Sequence, residues 1–245
     1  MAVSDIITVR DLGLMPYEPV FAAMKAFTQT RTVDTPDEIW LLEHEPVFTL
    51  GQAADRSHLF DTRDIPVFQA DRGGEVTYHA PGQAIVYLLV DLKRRAENRL
   101  LVREFVRQIE EAVIETLQAH QLRGERRAGE PGIYISADQP GSSWRGAKIG
   151  ALGLKVLRNG CAYHGFSLNV AMDLQPFTWI NPCGLAGLTS VDMKTMGVAL
   201  TVKEAQHELV RALCRQLNAK ADFSGSHSLP GMYKKMKRQG GRHVG

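Results

Sequence analysis

Apolar positions along the chain recur with two periods, and the switches between them outline the elements. Residues 6–10 alternate as a short strand, and residues 16–32 read as a helix with Val20, Met24 and Phe27 on one face. Pro16 suits that helix's first turn. Short apolar runs then follow at Glu38–His44, Val47–Leu50, 67–70, Val76–His79 and 84–91, each short enough to be a strand. A long helix is predicted from about Arg99 to Ala119, with Asn98 as its N-cap. Its buried stripe is Val102, Phe105, Val106, Ile109, Val113 and Leu117. A second group of strands covers 132–136, 146–157 and 163–170. A last helix over 201–218 carries Val202, Leu209, Val210, Leu213 and Leu217.

Strands in clumps, broken by long helices, predict an α+β fold: a mixed, largely antiparallel sheet flanked by helices. At roughly 150 residues per domain, 245 residues allow one domain or two. Residues 1–223 are read as one domain. Residues 224–245, rich in Gly, Ser and Lys, are read as a basic, mobile tail.

Composition narrows the function classes. The net charge of +2 is concentrated at the end of the chain, where Lys234, Lys235, Lys237, Arg238 and Arg242 outnumber Asp222. The rest of the chain is slightly acidic, which argues against a nucleic-acid partner. The longest clean apolar run, 84–90, is far too short for a membrane span. The first residues, MAVSDIITVRD, do not read as a signal peptide. A cytoplasmic protein is therefore expected. Cys161, Cys183 and Cys214 are odd in number and form no C-x-x-C pair, so neither a disulfide framework nor a zinc ribbon is expected. His44, His58, His79 and His164 are scattered without metal-ligand spacing, so no metal is expected.

Three glycine-framed segments carry the candidate chemistry. The first runs Arg72, Gly73, Gly74, Glu75, Val76, Thr77, Tyr78, His79 and on to Gln83. Paired glycines let a ligand approach the backbone, and Thr77 and His79 share one face of a strand. The plainer reading is a hairpin tip. The second segment sets Lys148 among Ala147, Ile149, Gly150, Ala151, Leu152 and Gly153. A lysine buried there would be desolvated unless an anion sat beside it; the plainer reading is an edge-strand lysine reaching solvent. Gly141 and Gly146 have P-loop spacing, but Ala147 occupies the lysine position, so that type of nucleotide site is rejected. The third segment joins His164, Gly165 and Phe166 to Asn181-Pro182-Cys183-Gly184. Cys183 lies in a turn that could present a thiol at a cleft, whereas Cys214 fits the apolar pattern of the last helix.

RGGEVTYHAPGQ (72–83), GAKIGALGL (146–154), YHGFSLNV (163–170) and NPCGL (181–185) occur in this order. Together they resemble the octanoyltransferase family, also called lipoate–protein ligase B, over nearly the whole chain except the tail. The resemblance implies a biotin/lipoate ligase-like catalytic domain. It implies Cys183 as the catalytic cysteine and Lys148 as the catalytic lysine. Substrate contacts are implied at residues 72–79, at Ala151, Leu152 and Gly153, and at His164, Gly165 and Phe166. The implied reaction moves an octanoyl group from octanoyl-acyl carrier protein, through a cysteine thioester, to a lysine of a lipoyl domain, the first step of lipoate biosynthesis. Acceptors would be lipoyl domains of 2-oxoacid dehydrogenases and the glycine cleavage H protein, with no cofactor and no ATP.

The chemistry fits those roles. An ammonium beside a thiol favours the thiolate, and a neutral lysine can take a proton from an attacking amine. At ~0.8 kcal/mol per methylene, an eight-carbon tail offers roughly 5 kcal/mol to an apolar pocket, expected here around residues 150–154 and Phe166. Arg94, Arg95, Arg99, Arg103 and the basic tail are expected docking surfaces for acidic partner proteins. Two other readings stay open at this point: an ATP-dependent ligase of the same fold, and a binding module in which Cys183 is structural.

Overall fold

The computed structural model describes residues 6–95, 102–185 and 187–230, the Cys183 side chain excepted. Its centre is an eight-stranded sheet in the order β11-β1-β2-β6-β10-β9-β8-β7. The strands are β1 (Ile6–Met15), β2 (Glu38–His44), β6 (Gln83–Asp91), β7 (Gly124–Arg127), β8 (Glu130–Ile135), β9 (Lys148–Val156), β10 (Cys161–Asn169) and β11 (Lys220–Asp222). β1 runs parallel to β2 and β11, and every other pairing in this sheet is antiparallel. A second, three-stranded sheet orders β4 (Val67–Gln69), β3 (Val47–Leu50) and β5 (Val76–His79) as β4-β3-β5. The expected mixed, largely antiparallel α+β architecture is what the chain adopts.

Helices cover both faces of the large sheet. α1 (Tyr17–Thr30) lies on one face, with Pro16 at its N-cap. A short α2 (Leu92–Arg95) leads towards α3 (Val102–Ala119), which packs with α4 (Val202–Gln216) on the other face. α3 buries Phe105, Ile109, Ala112, Val113, Thr116 and Leu117, a spacing that puts them on one side of the cylinder. Val102, expected in that stripe, is 43% exposed. Asn98 and Arg99 lie outside the described residues. α4 starts on a capping box formed by Thr201 and Glu204. No helix among the described residues is long and apolar enough to cross a membrane.

The position of β6 explains its sequence. It lies between β2 and β10 with both faces covered, so Ala84–Val90 is apolar throughout rather than alternating. β7 and β11 were not predicted: GERR and KAD have no apolar alternation, and both are edge strands, β7 tied to α3 by Arg126 ion pairs with Glu110 and Glu111 as well as by backbone pairing.

Residues 224–230, expected to open the tail, lie along β1. His227 Nδ1 donates to the Asp11 carbonyl (3.1 Å), and Leu229 is buried with Val20, Met24 and Trp40. Two of the expected docking arginines are otherwise engaged. Arg94 and Arg95, with Arg31, converge on the buried Asp37 carboxylate, which also accepts the Asp91 backbone N–H. They clamp one end of the sheet.

Candidate active site

A cavity of about 230 Å³ opens between the α1 face of the large sheet and strand β5 of the small one. Of the predicted site residues, Arg72, Gly74, Glu75, Val76, Thr77, His79, Lys148, Ala151, Leu152, Gly153, His164, Gly165 and Phe166 line it. Three segments far apart in sequence thus meet around one space. Gly73 and Tyr78 do not line it. Tyr78 alternates to the other face of β5 and packs against Phe48 and Phe177, while the Gly73 N–H donates to Leu154 O (2.9 Å), tying this loop to β9.

Lys148 opens β9 with its side chain buried, so it is not the solvent-reaching lysine of the plainer reading. Its Nζ donates to the Pro131 carbonyl (2.7 Å) and stands 5.4 Å from the centre of the Tyr134 ring. A Cβ on Gly132 would sit 2.5 Å from Lys148 Cε, and Gly132 holds φ +127, so only glycine admits the lysine there. The Cys183 backbone lies in the 3-10 turn Pro182–Gly184, and Pro182 and Leu185 on either side of that residue both border the cavity. Cys161 and Cys214 are buried away from it, and burial pushes both thiols up.

Sequence reasoning did not single out a polar layer beneath these residues. Asn169 Nδ2 donates to Val191 O (3.0 Å), which orients the amide so that its oxygen accepts from Gln83 Nε2 (2.8 Å). Gln83 Oε1 in turn accepts from His79 Nδ1 (2.7 Å). This chain leaves His79 Nε2 as the ring's acceptor nitrogen. Burial, together with the neighbouring His44, pushes His79 down to about 3. His44 is likewise pushed by burial to about 4; its Nδ1 donates to Met15 O and its Nε2 accepts from the Tyr87 hydroxyl (2.7 Å). Both imidazoles are therefore neutral near pH 7. The signal in the sequence was two amides at strand ends, Gln83 opening the apolar β6 and Asn169 closing β10.

At the other side of the cavity His164 holds φ +63 inside β10, a conformation that costs a non-glycine residue about 1–3 kcal/mol. Asp71 holds it there by accepting from His164 Nε2 (2.8 Å) and from the Tyr163 hydroxyl. Burial pushes the Asp71 carboxyl up, but those hydrogen bonds outweigh it and leave the group below the usual carboxylate range. Burial keeps His164 below an ordinary imidazole despite this partner. Arg72 commits Nη2 to the Thr49 carbonyl and hydroxyl (2.8 Å each) and Nη1 to Gly73 O (3.0 Å), fixing the loop to β3.

The remaining wall is apolar: Ile85, Leu152, Phe166, Phe177 and Leu185. Such a space suits a short acyl chain, with the Lys148 side chain and the Pro182–Gly184 turn at its border. Among the described residues no group of three or more His, Cys, Asp or Glu is placed to hold a metal ion.

Residues 16–214 match the family of lipoyl protein ligase A/B catalytic domains. Octanoyltransferase of Herminiimonas arsenicoxydans is 55% identical over 219 residues, covering 89% of this chain and all of that protein. Octanoyltransferase of Paraburkholderia xenovorans is 55% identical over 89% of this chain and 88% of its own. Among solved structures, a bipartite lipoate protein ligase from Thermoplasma acidophilum shares the fold at a TM-score of 0.69 and 14% identity, covering 97% of this chain and 91% of that one. A lipoate-protein ligase A bound with ATP shares it at 0.66 and 16%, covering 95% and 93%. Matched along nearly its full length by enzymes of one name and by one catalytic-domain model, the chain belongs to the octanoyltransferase family of lipoyl protein ligase A/B catalytic domains.

Proposed function

We propose that the enzyme moves an octanoyl group from octanoyl-acyl carrier protein to a lipoyl-domain lysine, through a thioester on Cys183. The observation that carries this reading is the pairing of a buried lysine, Lys148, with a cavity bordered by the residues on both sides of Cys183. In the first step the Cys183 thiolate attacks the thioester carbonyl. The tetrahedral adduct collapses, the new C–S bond stays, and the carrier's phosphopantetheine thiolate leaves and takes up a proton. In the second step the acceptor amine attacks Cys183's thioester, a C–N bond forms, the C–S bond breaks, and the amine loses a proton. Lys148 serves both halves: its ammonium favours the thiolate, and its amine form accepts the proton of the attacking amine. The apolar wall takes the acyl tail.

Lipoyl domains of 2-oxoacid dehydrogenases and the H protein of glycine cleavage are the proposed acceptors. The exposed Arg103 and the basic residues of 231–245 are the proposed contacts for acidic partners. The reaction needs neither ATP nor a cofactor, because a thioester is already activated. The test is transfer from octanoyl-acyl carrier protein to a purified lipoyl domain without ATP. Product formation that disappears in Cys183→Ala supports the reading. Transfer only from free octanoate with ATP would instead make the chain a ligase, and full activity of Cys183→Ala would remove the thioester.

A further inference from the structure

His58 belongs to none of the glycine-framed segments, yet it lies against the turn that carries Cys183. His58 and the two residues after it are laced to the chain before that turn. The Phe60 N–H donates to Trp179 O (2.9 Å), Leu59 bridges Ile180, and the Asn181 N–H donates to the carbonyl of His58 itself (2.8 Å). Asn181 is the N-cap of the 3-10 turn Pro182–Gly184, so His58 O fixes the point from which the turn springs.

The imidazole closes the same turn from its far end. Gly184 adopts φ +71, and a Cβ built there would lie 3.0 Å from His58 Cε1 and 3.4 Å from Nδ1. The ring thus occupies the space a side chain at Gly184 would need. Glu75 backs the ring, with Oε2 3.6 Å from His58 Nδ1, and the same oxygen accepts the Asp55 N–H (3.1 Å). Asp55 in turn caps the 3-10 turn Arg56–His58 by accepting from the Ser57 N–H (2.8 Å). His58 Nδ1 is buried and makes no hydrogen bond among the described residues. Around the imidazole stand two acids, Asp55 and Glu75, so its surroundings are anionic on one side and the Gly184 backbone on the other.

We infer that His58 is a positioning residue for Cys183: its carbonyl and its ring, braced by Glu75, hold both ends of the Pro182–Gly184 turn in the conformation from which the thiol acts. This rests on the reading of Cys183 as the nucleophile. The ring acts through the turn and touches the backbone beside Cys183.

A double-substitution cycle tests it with two readouts: His58→Ala, Gly184→Ala and both together. The first readout is the rate of Cys183 alkylation by iodoacetamide against pH, mapped by peptide mass. It reports on the turn whether or not Cys183 is the nucleophile. The second is steady-state octanoyl transfer. His58→Ala is expected to lower kcat by ~10- to 100-fold, the size of loss a misplaced reactive group causes, with the donor KM unchanged, and to displace the alkylation profile along the pH axis. Gly184→Ala alone should do the same. The pair should lose less than the product of the two, because the ring that meets the new Cβ is gone. His58→Gln, which keeps a polar side chain beside Glu75, should recover part of the rate and covers the case in which His58→Ala fails to fold. An unchanged alkylation profile and kcat in His58→Ala, or strictly multiplicative effects, would overturn the inference. An active Cys183→Ala would instead overturn the reading beneath it, leaving the alkylation result to stand alone.

Discussion

The two faces of β6 are made of alternate residues of one strand and differ in kind. Ala84, Val86, Leu88 and Val90 point to α3 and α4, into a core with Phe105, Ile109, Leu209 and Leu213. Gln83, Ile85 and Tyr87 point to the α1 side, where the neighbours include His44, His79, Asn169, Tyr17 and the cavity. The first face is dry and apolar and needs only volume and shape. The second carries buried polar groups, each of which must be given a partner or lose stability. The difference teaches where the chain keeps its stability and where it keeps its chemistry. The α3–α4 face anchors the strands, and the α1 face uses that rigidity to hold unfavourable side chains, the buried Lys148, the neutral His79 and the left-handed His164, around a single space.

Substitutions that separate the faces sharpen the contrast, and the largest effect should come from the polar side. Lys148→Ala is expected to lower octanoyl transfer by about 10²- to 10⁴-fold, the range for losing a proton-transferring side chain. Lys148→Arg should fare little better, because a guanidinium does not give up its proton near neutrality. Circular dichroism should stay native for the alanine variant. Near-normal turnover by the arginine variant would leave Lys148 a fixed charge only.

On the apolar side, Phe105→Ala removes a fully buried ring between α3 and the sheet and should cost about 3–5 kcal/mol of stability. Turnover per folded molecule should hold at temperatures where the variant is folded. A specific loss of activity in the folded state would break the division between the faces.

Gln83→Leu should be milder. It leaves His79 Nδ1 and Asn169 Oδ1 without their partner, at about 1–3 kcal/mol, or ~2–4 °C of melting temperature per kcal/mol in a chain of this size. A melting temperature equal to the parent's would mean that the amide chain does not constrain the site.

A further effect is graded with pH. His79 and His44 are held at about 3 and about 4 in the folded chain, against about 6.5 when unfolded. Below the unfolded value the unfolded state binds more protons, so stability must fall as pH falls. The slope is at most ~1.4 kcal/mol per pH unit for each histidine, from about pH 6.5 down to their folded values. Urea unfolding between pH 7 and 5 should show this slope, and His44→Gln should reduce it by one histidine's share. A flat profile in that range would show that the two rings are charged or exposed.

Periodicity and turn chemistry made most of this legible in advance. The central strands and α1 follow from apolar runs of the right length, and the glycines of the 72–83 and 146–154 segments marked where backbone and ligand come close. β7 and β11 escaped because edge strands can be stabilised by main-chain pairing that leaves no side-chain pattern. The arginines at 94 and 95 read as free surface charge because their partner, Asp37, lies 57 and 58 residues away and only the fold unites them. Tyr17, His44, Tyr87 and His58 escaped for the same reason. Each is ordinary in its own segment and gains meaning from what crosses it.

The central claim is that the cavity serves a thiol on the Pro182–Gly184 turn, and intact-mass measurement after mixing with octanoyl-acyl carrier protein and no acceptor tests it most directly. One octanoyl adduct is expected per chain, mapping to Cys183, released on adding a lipoyl domain, and absent in Cys183→Ala. An adduct on Cys161 or Cys214, or full transfer to the lipoyl domain by Cys183→Ala, would contradict the account.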